Sequence, residues 1–170
     1  DYTIPATSLP GAGTVGAAMP AGSFTLANTG TGDGGQPVAW KVYLSSDMIL
    51  NGGDVVVASG TTGPLAAGGS TPVVPAGTFP VVAPGSWYLI AEAKAADDTT
   101  DGNDTSGASA ITLAAPDVDY AVAASSPVNT GPLVAGAGMT GTFTLQNTGA
   151  AAGAATVHWA VYASADTALG

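Results

Sequence analysis

The chain has no cysteine and no arginine. Among its 170 residues it has only two lysines (Lys41, Lys94) and one histidine (His158). Each shortage removes a class of function. Without thiols there is no disulfide, no thiolate nucleophile and no Cys-bound zinc. Two lysines against twelve acidic residues, a formal net charge of −10, cannot displace the counterions of a phosphate backbone. Nucleic acid is therefore excluded as a partner, and an anionic membrane surface falls by the same argument. No uninterrupted apolar run approaches the ~20 residues of a membrane-spanning helix, so no membrane insertion is expected. One histidine leaves one imidazole base, and nothing pairs a nucleophile with it. No catalytic residue is assigned and no enzyme is expected.

What is abundant is small and apolar. Hydrophobic residues make up 46% of the chain, with 25 glycines and 12 prolines. That is enough for a packed core, so low hydrophobicity does not make the chain disordered. Few basic residues beside much Ala, Gly, Thr and Ser point to a secreted, extracellular or cell-surface protein. Asp1 opens directly into a strand-like segment, with no basic start and no apolar signal core. The sequence reads as a mature chain or a cut-out piece.

The chain repeats itself. Phe24-Thr25-Leu26-Ala27-Asn28-Thr29-Gly30 returns 119 residues later as Phe143-Thr144-Leu145-Gln146-Asn147-Thr148-Gly149. At the same spacing Gly34 meets Gly153, Val38 meets Val157 and Trp40 meets Trp159. Val42, Tyr43, Ser45, Asp47 and Leu50 meet Val161, Tyr162, Ser164, Asp166 and Leu169 without a gap. Asp1-Tyr2 matches Asp119-Tyr120 one residue out of phase. Residues 1–115 are expected to form one complete unit, and 116–170 the first half of a second, homologous one.

The pattern within the unit is β. Val38, Trp40, Val42 and Leu44 alternate with Ala39, Lys41, Tyr43 and Ser45, the period of a half-buried strand. Ser23–Asn28, Asp54–Ser59, a Trp87–Lys94 run and Gly107–Ala114 are further strands. Thr71–Val82, interrupted by proline, holds one or two short edge-like strands. Trp87, Leu89, Ala91 and Ala93 are assigned inward, opposite Tyr88, Ile90, Glu92 and Lys94. No window sustains a helical period. About seven short strands per unit, separated by turn signals, predict an all-β protein of immunoglobulin-like β-sandwich repeats, one complete and one partial.

Several motifs in order carry a family likeness. They are Asn28-Thr29-Gly30, Val42-Tyr43-Leu44-Ser45-Ser46-Asp47, Gly53-Asp54, Leu65-Ala66-Ala67-Gly68 and Pro84-Gly85-Ser86-Trp87-Tyr88-Leu89-Ile90-Ala91, then an Asp/Asn cluster. Together they resemble the CARDB module, the cell-adhesion-related domain found in bacteria. The resemblance implies an extracellular β-sandwich, often in tandem in large surface proteins and adhesins, without enzymatic activity. This chain has Trp87 where the family pattern usually has Tyr, and Lys94 near a usual Asp.

The sharpest chemical feature is the acidic loop of Asp97, Asp98, Asp101, Asn103 and Asp104. Hard oxygen donors at short spacing suit Ca²⁺, although the spacing is not that of an EF-hand. The bland reading is a solvated acidic loop. No other cofactor is implied. Asp47, Asn51 and Asp54 form a weaker oxygen cluster, in which only Asp47 has a repeat partner, Asp166. Asn103-Asp104-Thr105 is a glycosylation sequon, and Ser59–Thr62 and Thr99-Thr100 could carry O-glycans. His158 is assigned to solvent. Trp40, Trp87 and Trp159 are assigned to core packing. Tyr43 and Tyr162 lie on the outward face and are the candidates for lateral contact with a neighbouring module.

The core is light in large side chains, so exposed apolar edges are expected to serve assembly. The half unit would leave Val157, Trp159 and Val161 uncovered, and burying them needs a partner sheet. Strands from another chain could supply it, but identical 170-residue chains cannot complete both units by exchange. A polypeptide that continues past Gly170 is the favoured expectation. It predicts an intact mass in the source material well above 16.2 kDa, and a mass near that value contradicts it.

The functional expectation is a non-catalytic structural or adhesive module, a subunit of an extracellular filament or surface array. Its partners would be other copies of itself or neighbouring modules of a longer chain. The alternatives are a calcium-dependent module that binds glycan or protein, and an accessory domain of a large secreted hydrolase.

Overall fold

The computed structural model describes residues 1–127 and 134–162. All regular structure among them is β, and the chain divides into two compact units, Asp1–Pro116 and Asp117–Gly170.

Unit 1 holds eight strands: β1 Tyr2–Ser8, β2 Ala12–Thr14, β3 Ser23–Asn28, β4 Val38–Ser45, β5 Val55–Thr62, β6 Ser70–Val73, β7 Gly85–Lys94 and β8 Ser109–Ala114. They form two sheets, ordered β1-β3-β6 and β2-β8-β7-β4-β5. The inner faces meet on Phe24, Leu26, Val38, Val42, Leu44, Leu89, Ala91, Ala93, Ile111 and Leu113, all buried. Alternation along each strand sends every second residue into this layer, as expected of two packed antiparallel sheets. A fully buried Leu contributes roughly 1.5–3 kcal/mol, and Leu26, Leu44, Leu89 and Leu113 are all buried to that degree. Between the sheets Phe24 meets Trp40 edge to face, with centroids 5.8 Å apart. Beside Trp40 in the register stands Gly60 of β5, where any Cβ would collide with the indole ring.

Two features escape the sequence pattern. The chain's first stretch switches sheets: β1 pairs with β3, whereas β2 pairs in parallel with β8. Three residues are too few to show a period. Phe79, in the proline-rich connection before β7, is buried in the core. One outward-facing residue is buried nonetheless. Ile90 is 2% exposed although it lies on the outer face, directly opposite Tyr43 in the β4–β7 register.

The sheet edges of unit 1 are interrupted, although edge strand β5 exposes Val55 and Val56. β1 carries Pro5 and a register break between Thr3 and Ala6. β6 is four residues long and contains Pro72, and β2 is only three residues long. On β5 the register jumps between Val42 and Tyr43, leaving Val57 as a bulge, and the Val57 carbonyl accepts a bond from the Thr78 amide at 3.3 Å. Proline, bulges, short strands and a covering loop are the devices that deny a template to another strand.

One buried polar residue ties the loops of one end together. Asn28, 2% exposed, ends β3. Its Nδ2 donates to the carbonyls of Gly32 and Leu65, both at 3.0 Å. Its Oδ1 accepts from the Gly30 amide at 3.0 Å and from the Asp1 nitrogen at 3.3 Å. Its backbone amide donates to Gly69 and its carbonyl accepts from Gly68. A buried amide is tolerable only when satisfied, and this one is.

Unit 2 contains β9 Tyr120–Pro127 and β10 Gly141–Asn147, paired antiparallel as β1 and β3 are. The Asn28 knot is rebuilt there. Asn147 Nδ2 donates to Ala151 at 2.7 Å, and its Oδ1 accepts from the amides of Gly149 and Asp119. Thr148 hydroxyl donates to the Asp119 carboxylate at 2.7 Å, as Thr29 does to Asp1 at 2.9 Å. A Cβ on Gly34 or Gly153 would strike the hydroxyl of Tyr2 or Tyr120, which explains why that glycine repeats.

The third strand expected in unit 2 is not formed. Residues 156–162 take no strand conformation, and Trp159 and Val161 are 65% and 56% exposed rather than inward. In unit 1 the matching β4 is held between β5 and β7. Among the described residues of unit 2 no strand pairs with this segment. Trp159 still meets Phe143 edge to face at 5.0 Å, reproducing the Phe24–Trp40 contact. The repeat positions Ser164, Asp166 and Leu169 lie outside the described residues.

Asn28→Ala strands two carbonyls and two donors, and is expected to destabilise unit 1 by about 3 kcal/mol. Denaturant unfolding followed through Trp40 and Trp87 measures it. A loss comparable to that of the exposed control Asn51→Ala contradicts the role given to Asn28.

Candidate functional site: the acidic end of unit 1

The connection from β7 to β8 carries the acidic loop, and the Asn28 knot brings the start of β1 and the Gly30–Gly34 turn beside it. A shallow cleft of about 260 Å³ opens there, lined by Asp1, Tyr2, Asn28, Gly30, Thr31, Gly32, Asp33, Gly34, Asp97 and Thr99.

The five oxygen-bearing side chains of the loop do not converge. Asp97 turns to the Gly30–Gly34 side: its Oδ2 accepts from the amides of Gly35 at 2.7 Å and Gln36 at 3.1 Å. The Gly35 bond holds its carboxyl below the usual aspartate range. Asp98 turns inward to β1. Its side chain is 2% exposed, its Oδ2 accepts from the Tyr2 amide at 3.3 Å, and its Oδ1 lies 3.9 Å from the Asp1 ammonium. Asp101 is exposed. Asn103 Nδ2 donates to Asp1 Oδ1 at 3.0 Å, and its Oδ1 is buried without a partner. A glycan on Asn103 would have to release that bond. Among the described residues no three His, Cys, Asp or Glu side chains form a metal-binding group.

Asp104 is the unusual member. It is 3% exposed, because its carbonyl accepts from the Ala93 amide and draws the residue against β7. Its Oδ1 has no partner. Burial, then the charges of Asp98 and Asp101, push its carboxyl up to about 6, with Lys94 opposing.

The weaker cluster is used up in turn chemistry. Asp47 Oδ1 accepts from Ile49, Asp54 Oδ2 from Asn51, and Asn51 Oδ1 from Gly53. These bonds hold the β4–β5 hairpin tip, where Met48 and Ile49 are 68% and 71% exposed. Sequence reasoning passed over that apolar tip, because two adjacent apolar residues in a loop carry no period.

Of the lateral-contact candidates, Tyr43 is half-buried, and its hydroxyl donates to Glu92 at 2.8 Å. Glu92 also pairs with Lys94 at 2.9 Å. Burial and the Glu92 bond push the Tyr43 phenol up to about 12. Burial pushes Glu92 up, yet the bonds from Lys94 and Tyr43 outweigh it and hold Glu92 below its ordinary value. Tyr162 is 68% exposed and His158 is exposed. Trp40 and Trp87 pack against the core, with Trp87 Nε1 donating to the Ala83 carbonyl at 3.0 Å.

The sign of the Asp104 effect follows from its direction. Its folded value, about 6, lies above the 3.8 of a free aspartate. The native state therefore holds a proton that the unfolded chain releases. The contribution is fully present below about pH 4 and is lost as pH rises through about 6. Asp104→Asn is expected to be more stable than the parent at pH 8, and the difference between them to shrink below pH 5. Paired thermal melts across that range check this, and a difference that does not change with pH contradicts it.

No family model matches the chain, and no curated protein does. Among solved structures, it is similar to the CARDB domain of a Pyrococcus furiosus protein, crystallised with di-metal ions. The identity is 11% over 67% of this chain and 88% of that one, with a TM-score of 0.48. It is also similar to part of a Listeria innocua β-glucosidase crystallised with gluconolactone, at 17% identity and TM-score 0.45. That match covers 66% of this chain and 16% of the glucosidase. A Paenibacillus barengoltzii β-glucosidase is similar at 15% identity and TM-score 0.37, over 84% of this chain and 18% of that one. The fold itself stands on the chain's own strands: an all-β, immunoglobulin-like sandwich followed by the paired first strands of a second unit.

Proposed function

We propose that the chain is a non-catalytic structural and adhesive segment of a secreted prokaryotic surface protein, built from tandem sandwiches in an extracellular filament or surface array. The observation that carries this reading is the double construction. The Asn28 knot, the Tyr2–Gly34 approach and the Phe24–Trp40 contact all recur in unit 2. Repetition of a whole framework multiplies a scaffold, and it needs no reactive group in either copy.

The rest of the molecule supports it. Residues 115–119 connect β8 to β9. Among the described residues no helix is long and apolar enough to cross a membrane. The proline, bulges and short strands at the edges of unit 1 favour contacts at the module ends. One end presents the acidic cleft and the other parts of the surface present Met48, Ile49 and Val81, all well exposed.

The second reading is a binding module whose acidic end takes a cation and, through it, a glycan or protein. The buried, unpartnered oxygens of Asn103 and Asp104 favour it. An accessory role in a secreted hydrolase would show as a catalytic domain in the flanking sequence.

Electron microscopy of the native extracellular material separates the readings. Regular filaments or arrays with an axial repeat of one or two sandwiches are expected. Dispersed particles, together with glycan binding that a chelator abolishes, would replace the structural reading with the binding one.

A further inference from the structure

We infer that Asn51 is a self-modifying site: its side-chain amide is displaced by the backbone nitrogen of Gly52, and the residue converts through a cyclic imide to aspartate and isoaspartate. The inference does not depend on what the larger protein does.

Three observations carry it. First, Asn51 and Gly52 are both exposed, in the tip between β4 and β5. Glycine has no Cβ to crowd its own nitrogen. Second, the Gly52 nitrogen is unused. It donates to nothing among the described residues, although the amides on either side do. Asn51 N donates to Asp54 Oδ2 at 2.7 Å, and Gly53 N donates to Asn51 Oδ1 at 2.9 Å. Third, the Gly53 bond lies where charge develops. Attack on Asn51 Cγ turns Oδ1 into an oxyanion, and a backbone N–H at this distance stabilises one. The bond from Nδ2 to the Ile49 carbonyl, at 3.1 Å, is exposed, so water can replace it as the amide leaves.

The other described asparagines lack this combination. After Asn28, the Thr29 amide is bonded to the Asp1 carbonyl at 2.7 Å. After Asn147, the Thr148 amide is bonded to the Asp119 carbonyl at 2.6 Å. Asn103 precedes Asp104, which is buried.

The step needs no partner but water. Hydroxide takes the Gly52 amide proton, the N–Cγ bond forms, the Cγ–Nδ2 bond breaks, and ammonia leaves with a proton from water. Water then opens the five-membered ring. Addition at the side-chain carbonyl gives aspartate, and addition at the backbone carbonyl gives isoaspartate, which routes the chain through Cβ. Either product sets a new carboxylate in the turn that already holds Asp47 and Asp54, and loses the bond to Ile49. Isoaspartate also lengthens the turn that presents Met48 and Ile49.

The fold itself does not require glycine at this position. The φ of Gly52 is not positive, and a Cβ there would meet nothing within 4 Å. Gly52→Ala therefore tests the chemistry without disturbing the turn.

The test holds the full 170-residue chain at pH 8 and at pH 5 and maps its peptides by mass spectrometry over days. At pH 8 the Asn51 peptide should gain about 1 Da and separate into aspartate and isoaspartate forms. At pH 5, where hydroxide is scarce, conversion should be at least about tenfold slower. The Asn28 and Asn147 peptides should stay intact. Gly52→Ala should slow conversion at least about tenfold, with an unchanged melting temperature. An Asn51 that stays intact at pH 8 overturns the inference. So does equally fast conversion at Asn28 or Asn147, or a Gly52→Ala chain that converts as fast as the parent.

Discussion

The acidic end of unit 1 depends on the satisfied amide of Asn28. The side chain sits where β3 leaves its sheet, and it bonds at once to the turn that follows, to the connection before β6 and to the start of β1. A hydrocarbon there would leave carbonyls and amides buried without partners. An amide in the wrong rotamer would do the same. The residue thus converts a penalty for burying backbone into a fixed arrangement of three loops. The acidic cleft exists because those loops are held together, with Asp97 bonded across to Gly35 and Gln36 as a second tie. The same device at Asn147 shows that the arrangement belongs to the repeat and not to one accident of packing.

The two units also show how differently strands depend on their neighbours. β9 and β10 pair as β1 and β3 do, because each provides the other's ladder. The segment after β10 carries the same alternation as β4 but stays irregular, since β4 owes its conformation to β5 on one side and β7 on the other. Local pattern proposes a strand, and pairing makes it one. The Phe143–Trp159 contact is present without that ladder.

Much of this fold was legible in the sequence. Period-2 alternation marked β4 and β7, and the Asn-Thr-Gly repeat marked the ends of β3 and β10. What was not legible has physical reasons. β2 is too short for a period, and its partner β8 is about a hundred residues away. Ile90 alternates onto the outer face but is buried there, a matter of neighbours and not of spacing. In the acidic loop, five oxygen-bearing residues within a short stretch look like one site. Their backbone sends Asp97 to one side, Asp98 and Asn103 towards β1, and Asp104 inward against β7. Spacing along the chain gives the number of donors, and the direction of each comes only with the turn.

The knot at Asn28, repeated at Asn147, organises one end of each unit. Hydrogen exchange by NMR on the intact chain tests the centre of this account most directly. The amides of Gly30, Gly34 and Gly68 lie in loops, yet they bond to Asn28 or to the Leu65 carbonyl it gathers. They are predicted to exchange slowly, together with β3 and β4, and far more slowly than the exposed loop glycines Gly52 and Gly102. Exchange of Gly30, Gly34 and Gly68 at the rate of Gly52 and Gly102 would contradict the claim that Asn28 fixes this end of the fold.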